Sequence, residues 1–271
     1  MKRRDVLMVG ALLVAAKPGW SLAQGSGKAK AGTAAKMTAA KAVNIAGRQR
    51  MLSQRAAKCY AQIGVNVMAD RSFKALGDIS KLMEAGLGAL QEYATSANAR
   101  QLLAEQEKLF GQLNENLRAA PDKSSGANVL AISEEFLKNA QAVTQEIEKS
   151  AANASALVVN ISGRQRMLTQ RIAKYYFFNE WGLAPGAAQE IKRGREEFVA
   201  AMATLKSSAL ASPAIKNNLS LGETQWLFFE QALNAQQLNQ TDAVNRNNVA
   251  TTSERLLEIF ETVTGQFEQA M

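Results

Sequence analysis

The chain has 271 residues, no histidine, a single cysteine, four prolines and a formal net charge of +8. The missing histidine excludes imidazole metal sites, Ser-His-Asp and Cys-His catalysis and a histidine general base, and a lone Cys59 excludes an internal disulfide. Long stretches rich in Ala, Leu, Gln, Glu and Lys point to an all-α protein.

Lys2, Arg3 and Arg4 precede an apolar run from Val6 to Ala16, and Ser21-Leu22-Ala23 has the small-x-small form of a cleavage site. Residues 1–23 therefore read as a signal peptide. Arg3-Arg4 fits a twin-arginine signal as well as a Sec signal, and both routes stay open. No later stretch approaches the ~20 apolar residues of a membrane helix. The expectation is a periplasmic chain without a span or output segment of its own. Export argues against a nucleic-acid partner despite the basic balance.

Residues 24–35 (Gln, Gly, Ser, Lys and Ala) read as a disordered leader. Helical pattern runs from Lys36 to about Ala69. A second helix follows from about Ser72 to Thr95, marked by Ile79, Leu82, Met83, Leu87 and Leu90. A third carries Leu102, Leu109, Leu113 and Leu117. Ala120 to Gly126 is a Pro/Gly/Ser loop. From Val129 the apolar pattern runs through Phe136, Val143, Ile147 and Val158 to about Glu180 without proline, and without glycine before Gly163. The simplest expectation is one shared central helix of about fifty residues, ~80 Å long. A break near Ser150–Ser155 is the alternative. Trp181 to Gly186 forms a turn, and helices follow at about 187–210, 213–235 and 241–270. Trp226, Phe228 and Phe229 are expected in the core. Each half has a motif helix and three more, so the expectation is two tandem four-helix-bundle-like repeats, 36–150 and 151–271, joined by the long helix.

An eleven-residue stretch from Asn44 to Gln54 (NIAGRQRMLSQ) recurs from Asn160 to Gln170 as NISGRQRMLTQ, while the rest of each half has drifted further. Three-four spacing places Val43, Ala46, Arg50, Ser53, Ala57 and Tyr60 on one stripe. The second copy places Val159, Ser162, Arg166, Thr169, Ala173 and Tyr176 likewise. Small residues flank one arginine per stripe, with Gly47 and Gly163 alongside. A helix-interior glycine costs about 1 kcal/mol relative to alanine, so its presence in both copies points to close approach of a backbone or ligand. The neighbouring stripe, Ile45, Leu52, Ala56, Cys59 and Ile63, is the expected core face, with Cys59 a buried apolar residue.

An arginine in a close-packed seam needs an anionic partner, yet no Asp or Glu lies between Gly25 and Ala69 or between Ala151 and Asn179. Either Arg50 and Arg166 pair with carboxylates of other helices, such as Glu134 or Glu146, or they clamp a small planar oxyanion. Arg48, Arg55, Arg164 and Arg171 point off the seam and are expected to form a solvated or secondary electrostatic surface.

The repeated motif resembles the signature of the PilJ-type domain, the N-terminal sensory region of the type IV pilus methyl-accepting chemotaxis transducer. It is also similar to the P-box of nitrate/nitrite sensor kinases, which carries Gly-Ser-Leu-Arg-Met in the same frame. Arg48-Gln49 stands where the kinases have Ser-Leu. The resemblance implies periplasmic four-helix bundles in which Arg50 and Arg166 bind an anion, Gly47 and Gly163 permit close approach, and Asn44 and Asn160 open the motif. The expected function is a sensory module for a small nitrate- or nitrite-like anion, signalling to a membrane chemoreceptor or sensor partner. A ligand-free protein-interaction module of a chemoreceptor or pilus system is the alternative. No enzyme activity, cofactor or metal is expected. If the central helix runs straight, each motif must pair with its mate in a homodimer; if it bends, the two motifs pair within one chain. The uninterrupted apolar pattern favours the straight helix.

Overall fold

The computed structural model describes residues 37–151, 154–237 and 243–270; the signal peptide and leader expected at 1–35 lie outside them. Among the described residues there are eight helices and no strand: α1 (Ala39–Gly64), α2 (Ala69–Tyr93), α3 (Ala97–Arg118), α4 (Lys123–Ala151), α5 (Ala154–Glu180), α6 (Ala187–Ser207), α7 (Pro213–Gln237) and α8 (Ala243–Gln269). Thr38 caps α1 by accepting from the Lys41 N–H, and Ser96 caps α3 by accepting from Ala99, each satisfying a donor the first turn leaves free. The motif helix ends at Gly64, five residues earlier than its apolar pattern implies, because Asn66 and Met68 take left-handed backbone angles and turn the chain into α2.

Residues 37–270 form two four-helix bundles. In the first, α1 packs on α2 and α4, and α3 on α4 and α2. In the second, α5 packs on α6 and α8, and α7 on α8 and α6. The first core draws Leu52, Ile79, Met83, Leu87, Leu103, Leu113, Phe136 and Val143 from its four helices, all buried. The second is more aromatic: Phe198 stacks on Trp226 with centroids 3.8 Å apart and meets the edge of Phe260 at 5.4 Å. Trp226 and Phe229 are core, as their pattern implies, but Phe228 is 55% exposed. It follows Trp226 by two positions, about 200° around a helix, and so faces outward.

The long central helix is not formed. Helix α4 ends at Ala151, α5 begins at Ala154, and the two run antiparallel: Arg171 reaches Glu134, and Asn160 reaches Glu148. Such pairs lie far out of reach along one straight helix. The reversal sets α1 against α5, the most extensive helix pairing of the molecule. Their stripes of Val43, Ala46, Ser53, Ala57, Val159, Ser162, Thr169 and Ala173 are all buried, and small side chains allow the two backbones to approach. The pairing that would have called for a second chain is thus made inside one chain.

Candidate ligand site

Helices α1 and α5, each antiparallel to α4, run parallel to one another around an approximate two-fold axis. Arg50 Nη2 donates to Asn160 Oδ1 at 2.7 Å, and Arg166 Nη2 donates to Asn44 Oδ1 at 2.7 Å. All six residues expected at the site, Asn44, Gly47, Arg50, Asn160, Gly163 and Arg166, therefore meet at one crossing. The glycines act there. A Cβ on Gly47 would lie 3.0 Å from Arg50 Nη2 and 3.8 Å from Arg166 Nη2, and one on Gly163 would lie 2.9 Å from Arg166 Nη2. Each glycine makes room for the guanidinium one turn further along its own helix, which accounts for the Gly-x-x-Arg spacing in both copies.

The other motif residues are also built in. Gln49 donates to the Met83 carbonyl and Gln165 to the Phe198 carbonyl, both at 2.9 Å. Gln54 donates to the Ser133 carbonyl and Gln170 to the Ser253 carbonyl, again at 2.9 Å. The motif helices are thereby tied to α2, α4, α6 and α8 through buried polar bonds, where a lost partner costs about 1–3 kcal/mol. The structure thus supplies a physical reason for the near-identity of the two copies.

Carboxylates reach the motif arginines differently from expectation. Arg166 Nη1 donates to Glu261 Oε2 at 2.6 Å, whereas Arg50 Nη1 donates to the neutral Gln141 Oε1 at 2.5 Å. Neither arginine pairs with Glu134 or Glu146: Glu134 binds Arg171 and Lys174, and Glu146 accepts from Ser96 and Asn98. Both guanidiniums are fully buried, and Arg50 Nε has no hydrogen-bond partner. Burial, with Arg164 and Arg166 nearby, pulls the Arg50 pKa down to about 9 against the opposing pull of Glu148 and Glu197. Burial lowers Arg166 too, but Glu261 resists it.

The four outer arginines are paired rather than simply solvated. Arg48 binds Glu261 and remains 45% exposed. Arg164 binds Glu197 and donates to Gln141 at 3.1 Å. Arg55 binds Glu254, and Arg171 binds Glu134 and Glu190. Inside them lie two lysines that the sequence pattern did not single out. Lys58, fully buried, meets Glu254 at 2.5 Å and Ser253 at 3.2 Å; Lys174, equally buried, meets Glu134 and Ser133. Burial pushes the Glu134 and Glu254 carboxyls up, but the adjoining lysine and arginine outweigh it and hold each at about 2. Glu134, Gln141, Glu254 and Glu261 had a sequence signal. Ser133-Glu134 recurs as Ser253-Glu254, and at that same displacement Gln141 becomes Glu261. The displacement is four residues longer than that of the motif, so an alignment keyed to the motif misses it.

Cys59 is buried, and burial raises its thiol pKa against the opposing pull of Lys58, Arg55 and Arg71. Among the described residues, no group of Asp, Glu and Cys is arranged to hold a metal ion.

Residues 33–156 and 147–252 each match the family model of the type IV pili methyl-accepting chemotaxis transducer N-terminal domain, PilJ. The chain belongs to this family. The two matches overlap where α4 gives way to α5; the first spans α1 to α4, and the second spans α5 to α7 and the start of α8. No characterised protein and no solved structure matches the chain. PilJ is a sensory region of chemotaxis transducers and not a catalytic family. No helix among the described residues is long and apolar enough to cross a membrane.

Proposed function

We propose that this tandem PilJ protein is a periplasmic sensory module, delivered by its N-terminal signal, that takes a small planar anion at the α1–α5 crossing and reports it to a membrane chemoreceptor or sensor partner. The observation that carries the reading is Arg50: a fully buried guanidinium whose hydrogen bonds go to two neutral amides, with one N–H unpaired. A buried cation without a contacting carboxylate is costly, and a planar oxyanion suits a guanidinium fork. The crossing joins the two bundles, so a ligand there bears on how they pack. Binding energy that differs between two packings is what a sensor needs.

Calorimetry of the purified chain with nitrate and nitrite tests the reading. Binding at millimolar anion or below is expected, and it should be lost in the Arg50→Ala/Arg166→Ala variant. No binding, or binding unchanged in that variant, overturns the reading.

A groove of about 900 Å³ between α6 and α7 favours a second reading, a protein-interaction module. Phe198, Met202 and Trp226 line it together with the exposed Val199 and Leu227. Co-purification of a membrane chemoreceptor, abolished by Leu227→Glu and indifferent to Arg50→Ala, would select this reading over the first.

A further inference from the structure

The approximate two-fold relates Arg50 to Arg166, Asn160 to Asn44, Arg164 to Arg48 and Glu148 to Glu268. In each of these pairs the residue type is the same, and the bonds correspond as well. Asn160 Nδ2 donates to Glu148 and Asn44 Nδ2 to Glu268. Two features break the correspondence: Arg164 has a carboxylate of its own in Glu197, where Arg48 has only the shared Glu261, and the residue on which the arginines converge differs. On one side Arg166 and Arg48 both donate to the Glu261 carboxylate, with Arg48 Nε at 3.1 Å and Arg48 Nη2 at 3.0 Å. On the other side Arg50 and Arg164 both donate to the single amide oxygen of Gln141. An amide offers guanidinium donors one accepting oxygen and no charge, whereas a carboxylate offers two and a full charge. In addition, Nε of fully buried Arg50 has no hydrogen-bond partner, whereas Arg166 Nε reaches the Gly163 carbonyl at 3.5 Å.

We infer that the cradle of Arg50, Arg164 and Asn160 is the one ligand site of the chain. It takes a monovalent carboxylate-like oxyanion in place of the Gln141 amide. Glu261 is a tethered counterpart of that ligand, and it permanently fills the equivalent cradle at Arg166. The inference rests on the anion-binding reading above and makes it specific. Gln141 is only part-buried and sits on α4 at the outer side of Arg50, so its side chain can swing out to admit the anion. Glu197 already pairs with Arg164, and Glu148 holds Asn160. These two carboxylates equal Arg50 and Arg164 in number but neither bonds to Arg50, so one added negative charge is accommodated at its guanidinium more readily than two, which favours monovalent nitrate, nitrite or acetate over divalent sulfate.

The test is calorimetry of the full mature chain with sodium nitrate, nitrite, acetate and sulfate at constant ionic strength, together with thermal unfolding without added anion. The wild type should bind one monovalent anion per chain and sulfate at least tenfold more weakly. Gln141→Glu should supply the missing carboxylate: it should weaken binding at least tenfold and raise the midpoint of unfolding. Glu261→Gln should open a second cradle and give two anions per chain. If that variant does not fold, Gln141→Glu carries the test alone. Two sites in the wild type, or binding that Gln141→Glu leaves intact, overturns the single-cradle inference while the anion reading stands. Failure of the wild type to bind any probe overturns both.

Discussion

About two turns beyond the centre of the α1–α5 seam, one on each side of it, the two halves of the molecule carry matching lysine clusters. Lys58, Arg55 and Glu254 repeat as Lys174, Arg171 and Glu134, with a further contact from Arg171 to Glu190. At the centre the halves differ: Arg166 meets the Glu261 carboxylate and Arg50 the Gln141 amide, while Arg164 has Glu197 as a partner and Arg48 shares Glu261. Each buried ammonium has a carboxylate in direct contact, and so does buried Arg166, whereas buried Arg50 has none. The lysine clusters lock the two bundles together, and under the proposed function the centre leaves Arg50 open to an anion from outside.

The largest expected effect tests the likeness of the lysine clusters. Glu134→Ala and Glu254→Ala each strand a buried lysine, and each should cost about 3–5 kcal/mol in urea unfolding. Glu254→Ala also strands Arg55, whereas Arg171 keeps Glu190. The two costs should therefore agree within about 1 kcal/mol with Glu254→Ala the larger, and a wide gap would break the likeness of the clusters. The centre should behave differently. Arg166→Met leaves the part-buried Glu261 with only the half-exposed Arg48 and should cost about 3 kcal/mol. Arg50→Met removes a cation with no contacting carboxylate and should cost about 1 kcal/mol or less. Equal costs for the two arginine variants would mean that Gln141 serves Arg50 as well as Glu261 serves Arg166.

Acid should act on both lysine clusters together. The Glu134 and Glu254 carboxyls lie at about 2 in the folded chain, below the ~4.3 of an unfolded glutamate. Folding therefore gains from each at pH values above the unfolded pKa. That gain is lost as pH falls from about 5 toward 2, and amounts to about 2 kcal/mol per carboxyl once partial exposure is discounted. Urea titrations across this range should show the loss roughly halved in Glu134→Gln. An unchanged slope would remove Glu134 from the acid response.

The smallest expected effect probes the centre again. Gly163→Ala pushes against an arginine pinned by a carboxylate, whereas Gly47→Ala pushes against one held by amides. The first should cost about 1–2 kcal/mol after the gain in helix propensity, and the second less than half of that. Thermal unfolding of the two variants checks the order.

Much of this architecture was legible in the residues. Apolar spacing located the helices to within a few positions, because helical period survives wherever one face of a helix is buried. The motif stripe with Arg50, Arg166 and the two glycines marked the close crossing before any fold was known. The reversal between α4 and α5 was not legible, because the same apolar period continues on both sides of it and neither proline nor glycine signals a stop. Glu261 and Gln141 left a trace in the displaced repeat, but that they meet the arginines was not legible. They come from helices distant in sequence, and their register against α1 and α5 is set by packing.

By itself the sequence determined that this is an all-helical tandem repeat, with one arginine per copy placed in a small-residue stripe and no acid on its own helix. Those are local properties, carried by period, composition and repetition. Only the tertiary structure decided that the two stripes face each other within one chain, and that one arginine meets a carboxylate while its twin meets an amide. Counter-charge is a property of neighbours in space, and only the reversal of α5 against α4, which lays α5 alongside α1, brings those neighbours together.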